Sequence, residues 1–313
     1  MKRAEPSNLE RERHNETPQM VQTLEAKDLS VTALYTAQVW SWAGFKGAHH
    51  FSTKQTQGVF NATNGALAIM RMFRWGLPRL PEGLAQRHTL IDQLTEERSP
   101  AVVIELAAGL SSRAIRLCTR HPETITRYVE VDLTHVIDFK RVAYERSGAT
   151  PQALTCSALD LKMLTPQQLS DWLTCAELNT SEERPRSAPV IIAEGLLMYL
   201  SPDEAGELLR VIAQGLSGSG GRLIFDWVPT VEQPPPGMFG RLLGALMRLF
   251  TGGQSFQRDT RTRQEMLAQL TALGATATAI DTHQVAGERE LPFPQANTQQ
   301  LVFCVDWPVS TSN

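Results

Sequence analysis

The residues of this 313-residue chain with the clearest chemical potential are acids and small residues set at the ends of apolar runs. The first group is Glu105-Leu106-Ala107-Ala108-Gly109-Leu110-Ser111-Ser112-Arg113, directly after Val102-Val103-Ile104. Small side chains in such a turn let a ligand approach the backbone, and the amides opening the following helix donate hydrogen bonds to it. The usual E-x-G-x-G-x-G core stands here as Glu105, Ala107, Gly109 and Ser111, so by itself the stretch is equally an ordinary βα turn. The second group is Glu130 and Asp132, roughly twenty residues past Gly109, where a dinucleotide-type fold places the acid that accepts from ribose hydroxyls. Residues two apart on a strand share a face; Asp132 is preferred as the one nearer the strand's carboxyl end. The third is Asp160-Leu161, an acid able to accept from an adenine amino group followed by a backbone amide for the ring, with helix capping as the competing role. The fourth is Glu194, which ends the apolar run Pro189-Val190-Ile191-Ile192-Ala193 and needs a cationic partner there.

Elements that would position these residues follow from periodicity. Strands are expected at 101–106, 126–132, 153–158, 189–194 and 222–228, alternating with helices at 112–120, 135–146, 165–178 and 202–216. Continuous apolar strands alternating with helices imply a parallel sheet covered on both faces. A helix at 262–273 then leads into strands at 275–283 and 301–307 with no helix between them, which favours an antiparallel hairpin. This is the layout of an α/β, Rossmann-like class I methyltransferase: a mostly parallel seven-stranded sheet with a terminal antiparallel hairpin. Before it lies a helical addition, with helices expected at 29–40, 66–75 and 83–94 after a polar lead-in over 1–20. The division is thus a helical extension, 1–94, packing on a Rossmann-like domain, 95–313. The segment 229–261, with Pro234-Pro235-Pro236-Gly237 and an apolar 238–250, interrupts the domain above the carboxyl ends of the strands and reads as a lid.

Composition excludes several classes. Thirty Lys+Arg against 33 Asp+Glu give a net charge of −3, so there is no overall attraction for nucleic acid or an anionic membrane. No apolar run approaches a spanning helix, and no secretory h-region follows the basic start. Cys118, Cys156, Cys175 and Cys304 are scattered, which fits reduced thiols in a cytoplasmic protein. No G-x-x-x-x-G-K-[ST], H-E-x-x-H or G-x-S-x-G is present, so NTPase, zincin and hydrolase chemistries lack their motifs and no metal site is expected. A nicotinamide oxidoreductase shares the turn and the strand-end acid but lacks the full G-x-G-x-x-G. A non-catalytic cofactor-binding partner protein is the other alternative.

The succession Glu105–Arg113, then Tyr128-Val129-Glu130-Val131-Asp132-Leu133, then Glu194-Gly195-Leu196-Leu197-Met198-Tyr199-Leu200 resembles the leucine carboxyl methyltransferase family, which also holds O-methyltransferases of bacterial secondary metabolism. The resemblance covers roughly 85–230. It implies S-adenosylmethionine as cofactor, held through Ala107 and Gly109, Asp132, Asp160 and Leu161, and Glu194, with Arg87 contacting the cofactor carboxylate. Position 107 is more often Gly in the family and position 111 more often Asp; here they are Ala and Ser.

Methyl transfer is an in-line displacement, so the protein must chiefly align donor and acceptor. A carboxylate acceptor is ionised at neutral pH and needs no general base, whereas an alcohol or phenol benefits from one. Only His49, His50 and His88 suggest themselves as bases, so a carboxylate or other acidic oxygen, on a small molecule or another substrate, is the expected acceptor. A hydroxyl on a polyketide or similar metabolite is the alternative.

Overall fold

The computed structural model describes residues 29–72, 79–174, 188–229, 231–232, 259–296 and 300–309. The chain opens with α1 (Val31–Trp42), capped by the Ser30 hydroxyl, which accepts from the Ala33 amide at 3.1 Å. A 3-10 turn (Ala48–Phe51) leads to α2 (Lys54–Met72), and α3 (Leu80–Glu96) precedes the sheet. The expected helix at 66–75 therefore starts twelve residues earlier, at Lys54. The reason is local. Thr53 and Thr56 exchange amide-to-hydroxyl hydrogen bonds at 2.8 and 3.1 Å, a reciprocal cap that nucleates the helix despite Gly58 and Gly65.

The alternating part runs β1 (Val102–Leu106), α4 (Arg113–Arg120), β2 (Arg127–Asp132), α5 (Thr134–Ser147), β3 (Leu154–Ala158), α6 (Pro166–Leu173), β4 (Val190–Ala193), α7 (Pro202–Leu216) and β5 (Gly221–Trp227). It closes with α8 (Arg263–Ala272), β6 (Thr276–Asp281), α9 (Thr282–Val285) and β7 (Leu301–Trp307). Two differences from expectation appear here. Helix α6 ends at Leu173 rather than 178, and the four-residue α9 interrupts the hairpin connection. Asp281 starts α9 by accepting from the His283 amide at 2.9 Å. The lid segment 229–261 and Cys175 lie almost wholly outside the described residues; Cys118, Cys156 and Cys304 are free thiols.

The strands form one seven-stranded sheet in the order β3-β2-β1-β4-β5-β7-β6. The first five are parallel; β7 lies between β5 and β6 and is antiparallel to both. Both faces are covered, which is why β4, and β1 apart from Glu105, are apolar without alternation. On one face Ile104, Leu106, Val131 and Ile191 pack with Leu208, Leu209 and Ile212 of α7 and Met266 and Leu270 of α8. On the other, Val103, Tyr128, Val190, Ile192 and Ile224 pack with Leu90, Ile91 and Leu94 of α3 and Ala114 and Leu117 of α4. Helix α3 runs against the strand direction: Arg222, near the start of β5, donates to the Leu94 carbonyl at 3.0 Å, while Arg87 reaches acids at the far ends of β4 and β5. Among the described residues, no helix is long and apolar enough to cross a membrane.

Candidate active site

Parallel strands bring their carboxyl ends to one edge, and the strand order sets the sequence of groups along it. Asp160 follows β3, Asp132 ends β2, the Ala107–Ser112 turn follows β1, Glu194 follows β4, and Asp226 lies near the end of β5. The order reverses between β1 and β4, the topological switch point at which open α/β sheets hold ligands.

The turn after β1 bends sharply. Ala107 has φ +52° and Gly109 φ +50°. The left-handed region is natural for Gly109 but strained for Ala107, by roughly 1–2 kcal/mol. Several hydrogen bonds hold the turn. The Ala108 amide donates to the Val131 carbonyl at 3.1 Å, and the Ser111 hydroxyl accepts from the Arg113 amide at 3.1 Å. Asp132 accepts from the Gly109 amide at 2.7 Å through one oxygen and from its neighbour's amide, Leu133, at 2.7 Å through the other. Burial raises the Asp132 carboxyl above its ordinary range despite these two amides. Each oxygen keeps a second lone pair for another donor.

Glu130, two residues earlier on β2, is turned to a different task. It is fully buried and paired with Lys140 Nζ at 2.8 Å, and it accepts from the Tyr144 hydroxyl at 2.9 Å. Lys140, also fully buried, donates to the Ser111 carbonyl at 3.0 Å and so ties α5 to the turn. Asp160 is exposed and caps a short 3-10 turn, accepting from the Lys162 amide at 3.0 Å, while Leu161 packs partly buried against the sheet core.

Glu194 finds its partners in arginines. Arg87 Nε donates to one of its oxygens at 2.9 Å, and Arg113 Nη2 donates to the other. Arg87 Nη1 also donates to Asp226 at 2.7 Å, and Asp226 accepts from the Gly195 amide, where φ is +68°. Burial alone would raise the Glu194 carboxyl, but His88, Arg87 and Arg113 bring it well below the usual range. Burial keeps Asp226 above its usual range even beside Arg87.

Beneath these acids lies a buried ionic network that no single motif announces. Arg113 also donates to Asp92 of α3 at 2.6 Å and to Glu105 of β1, whose other oxygen accepts from the Tyr128 hydroxyl at 2.7 Å. Arg116 joins at Asp92, at 2.6 Å. His88 is fully buried, with Nδ1 2.7 Å from Glu194 and Nε2 2.7 Å from Arg116 Nη2. With Nε2 accepting from the Arg116 guanidinium, a neutral ring carries its proton on Nδ1, directed at Glu194, while Arg113 Nη2 lies 2.8 Å from the same nitrogen. Trp40 stacks on the ring at 4.0 Å, and burial together with Arg113 lowers its pKa to about 4. His49 and His50 lie elsewhere, on the 3-10 turn, with ring centroids 3.9 Å apart.

Asp226, Arg113 and Asp92 carry this site yet received no role from sequence. The signal for Asp226 was present: an acid inside Leu223-Ile224-Phe225-Asp226-Trp227 is as costly as Glu194 after its own apolar run. Three guanidiniums, Arg87, Arg113 and Arg116, here meet four carboxylates, Asp92, Glu105, Glu194 and Asp226.

The leucine carboxyl methyltransferase family model matches residues 46–213. A Mycobacterium avium (strain 104) protein named as an S-adenosyl-L-methionine-dependent methyltransferase is 30% identical over 227 residues, 70% of this chain and 68% of the relative. A Mycolicibacterium gilvum relative of the same name is 37% identical over 161 residues, 50% of this chain and 48% of its own length. Among solved structures, an O-methyltransferase family protein from Burkholderia thailandensis aligns over 90% of this chain and 73% of its own, with a TM-score of 0.47 and 13% identity. The family match and the relatives' shared sequence show that the chain belongs to the leucine carboxyl methyltransferase family of S-adenosylmethionine-dependent methyltransferases.

Proposed function

We propose that the protein methylates a carboxylate or other acidic oxygen, with residues 1–94 as a helical addition and 95–313 as the methyltransferase domain. Bound S-adenosylmethionine supplies an electrophilic methyl group. The donor set fits such a ligand. The buried acids and guanidiniums at the β4 and β5 ends suit a ligand that carries both charges, the Asp132 oxygens have lone pairs for ribose hydroxyls, and the Ala107–Gly109 turn lies beside them. In this reading Arg87 offers its remaining Nη2 to the ligand carboxylate, and Asp160 with the Leu161 amide takes the adenine. The acceptor is a small molecule or other carboxylate-bearing substrate, met in the cytoplasm.

The observation that carries the acidic acceptor is the state of His88. It sits among the site acids, but both its nitrogens are engaged, it is fully buried, and its pKa is about 4. A ring so held takes no proton from an incoming hydroxyl at neutral pH. The product is then a methyl ester, which mild alkali hydrolyses to methanol. The chemical rate should stay nearly flat from about pH 6 to 9, because a free carboxylate titrates near pH 4. Transfer of labelled methyl into an extract, followed by alkali, tests this. Alkali-stable label with a rate climbing through neutral pH would point to a hydroxyl acceptor, with His49 or His50 as the base to examine.

The ribose role of Asp132 has its own test. Asp132→Ala should weaken S-adenosylhomocysteine binding about tenfold or more, since hydrogen bonds to a charged group contribute roughly 1.5–3 kcal/mol. Wild-type affinity should also fall as pH drops through the raised Asp132 pKa, because the ionised form accepts the hydroxyl protons. Calorimetry that finds equal affinity in a folded Asp132→Ala protein removes the role.

A further inference from the structure

We propose that Arg113 is a positioning residue of the methyl-transfer site, whose one guanidinium fixes the gap between the Ala107–Ser112 turn and the Glu194-Gly195 loop. The inference rests on the cofactor reading above and adds a device that spans the switch point. Arg113 is the first residue of α4 and is wholly buried. Its amide is bound to Ser111 at 3.1 Å, so the residue is locked to the end of the turn. Its three side-chain nitrogens go to three different elements: Nε to Asp92 on α3 at 2.6 Å, Nη1 to Glu105 on β1, and Nη2 to Glu194 after β4.

Strands β1 and β4 are neighbours, paired from Val103↔Val190 to Glu105↔Ile192. Beyond that register the chains diverge, one into the turn and the other into Gly195. Arg113 is the group that reconnects them. A planar guanidinium with directed donors can hold three carboxylates in one fixed geometry; an ammonium is a point charge that cannot. The same group governs His88. Arg113 Nη2 lies 2.8 Å from His88 Nδ1 and shares Glu194 with it. The other charges facing the ring are Arg116 of α4 and, on its own helix, Arg87 and Asp92, while Trp40 and Phe45 close its faces. With Arg113 present, its guanidinium lies against Nδ1 and, with Arg87, meets the charge of Glu194, so the ring stays neutral. Without it, Glu194 keeps only Arg87, the repulsion at Nδ1 is gone, and His88 takes up a proton more readily.

The test compares Arg113→Lys and Arg113→Gln with wild type by S-adenosylhomocysteine calorimetry and by NMR titration of the His88 ring. In wild type the ring should be the neutral Nδ1–H form throughout pH 5–8. In Arg113→Gln it should titrate about 1–3 pH units higher, the size of shift expected when a neighbouring cation is removed. In Arg113→Lys, which keeps the charge and is read if the Gln protein does not fold, S-adenosylhomocysteine affinity and cofactor KM should worsen about tenfold or more with acceptor KM unchanged. Wild-type affinity in Arg113→Lys, or a His88 titration unmoved in Arg113→Gln, overturns the proposal. A folded wild-type protein with no affinity for S-adenosylhomocysteine overturns the cofactor reading itself, which is a different result from an unaffected variant.

Discussion

Replacing Lys140 by Met should destabilise the protein by about 3–5 kcal/mol, the range for removing one partner of a buried ion pair. Lys140 and Glu130 are both fully buried, 2.8 Å apart, and the ammonium also lies 5.4 Å from the centre of the Phe51 ring. Among the described residues, removing the lysine leaves the Glu130 carboxylate with the Tyr144 hydroxyl as its one close donor and the weak Cys156 thiol at 3.8 Å. Burial already raises the Glu130 carboxyl against the pull of Lys140, and without that pull it rises further. The deficit should therefore be full at neutral pH and narrow as pH falls toward the ordinary carboxylate range. There the protonated acid needs no counter-charge. Lys140→Met combined with Glu130→Gln should recover at least half the loss, because the amide oxygen still accepts from Tyr144. Lys140 also holds the Ser111 carbonyl, so the single variant should bind S-adenosylhomocysteine more weakly. Chemical denaturation of the two proteins decides the matter: a loss under 1 kcal/mol, or a double variant no better than the single, contradicts the pairing.

What could be read from the sequence, and what could not, divides on whether the signal is local. Strands β1 and β4 are buried along their whole length, so their apolar runs carried the parallel sheet in plain form. Helix α7 is bounded as expected because its signals are adjacent: Ser201 and Glu204 form a reciprocal cap before an apolar helical pattern. The start of α2 has an equally local signal in Thr53 and Thr56, but its apolar periodicity is thin over Gln55–Gly58 and becomes plain only further along the helix. The partners of Glu194 were not local. Arg87 lies 107 residues earlier and Arg113 lies 81 earlier, and only the strand order brings them together. Sequence could say that the carboxylate needed a cation; it could not say that three cations and a neutral imidazole would share four acids. Ala107 shows the complementary limit. An alanine in place of the commoner glycine disfavours positive φ, yet the fold imposes φ +52° there regardless.

Acidification should expose His88 as a stability switch worth about 3 kcal/mol between pH 6.5 and 4. The ring titrates near 6.5 when unfolded and at about 4 in the fold, and each unit of difference corresponds to 1.36 kcal/mol. Between those values the unfolded chain binds the proton and the native ring does not, so stability falls as pH falls. Other groups act in different windows or with opposite sign. Asp92, lowered from 3.8 to about 2 against its burial by Arg116 and Arg113, loses its contribution only below pH 3.8. The raised carboxyls of Asp132 and Asp226 work the other way, holding protons longer in the fold than in the unfolded chain. Total stability therefore mixes slopes, and the difference between wild type and His88→Gln isolates one of them. Glutamine is neutral at every pH and keeps one donor and one acceptor for Glu194 and Arg116. The variant should be less stable than wild type near pH 7, where the imidazole fits its Trp40 stack, and should lose that disadvantage as pH approaches 4. Urea denaturation of both proteins at half-unit steps supplies the curve. A stability difference that stays constant from pH 7 to 4 would mean that the ring titrates alike in both states, and the clamp of Arg113, Arg116 and Glu194 around it would then have no energetic content.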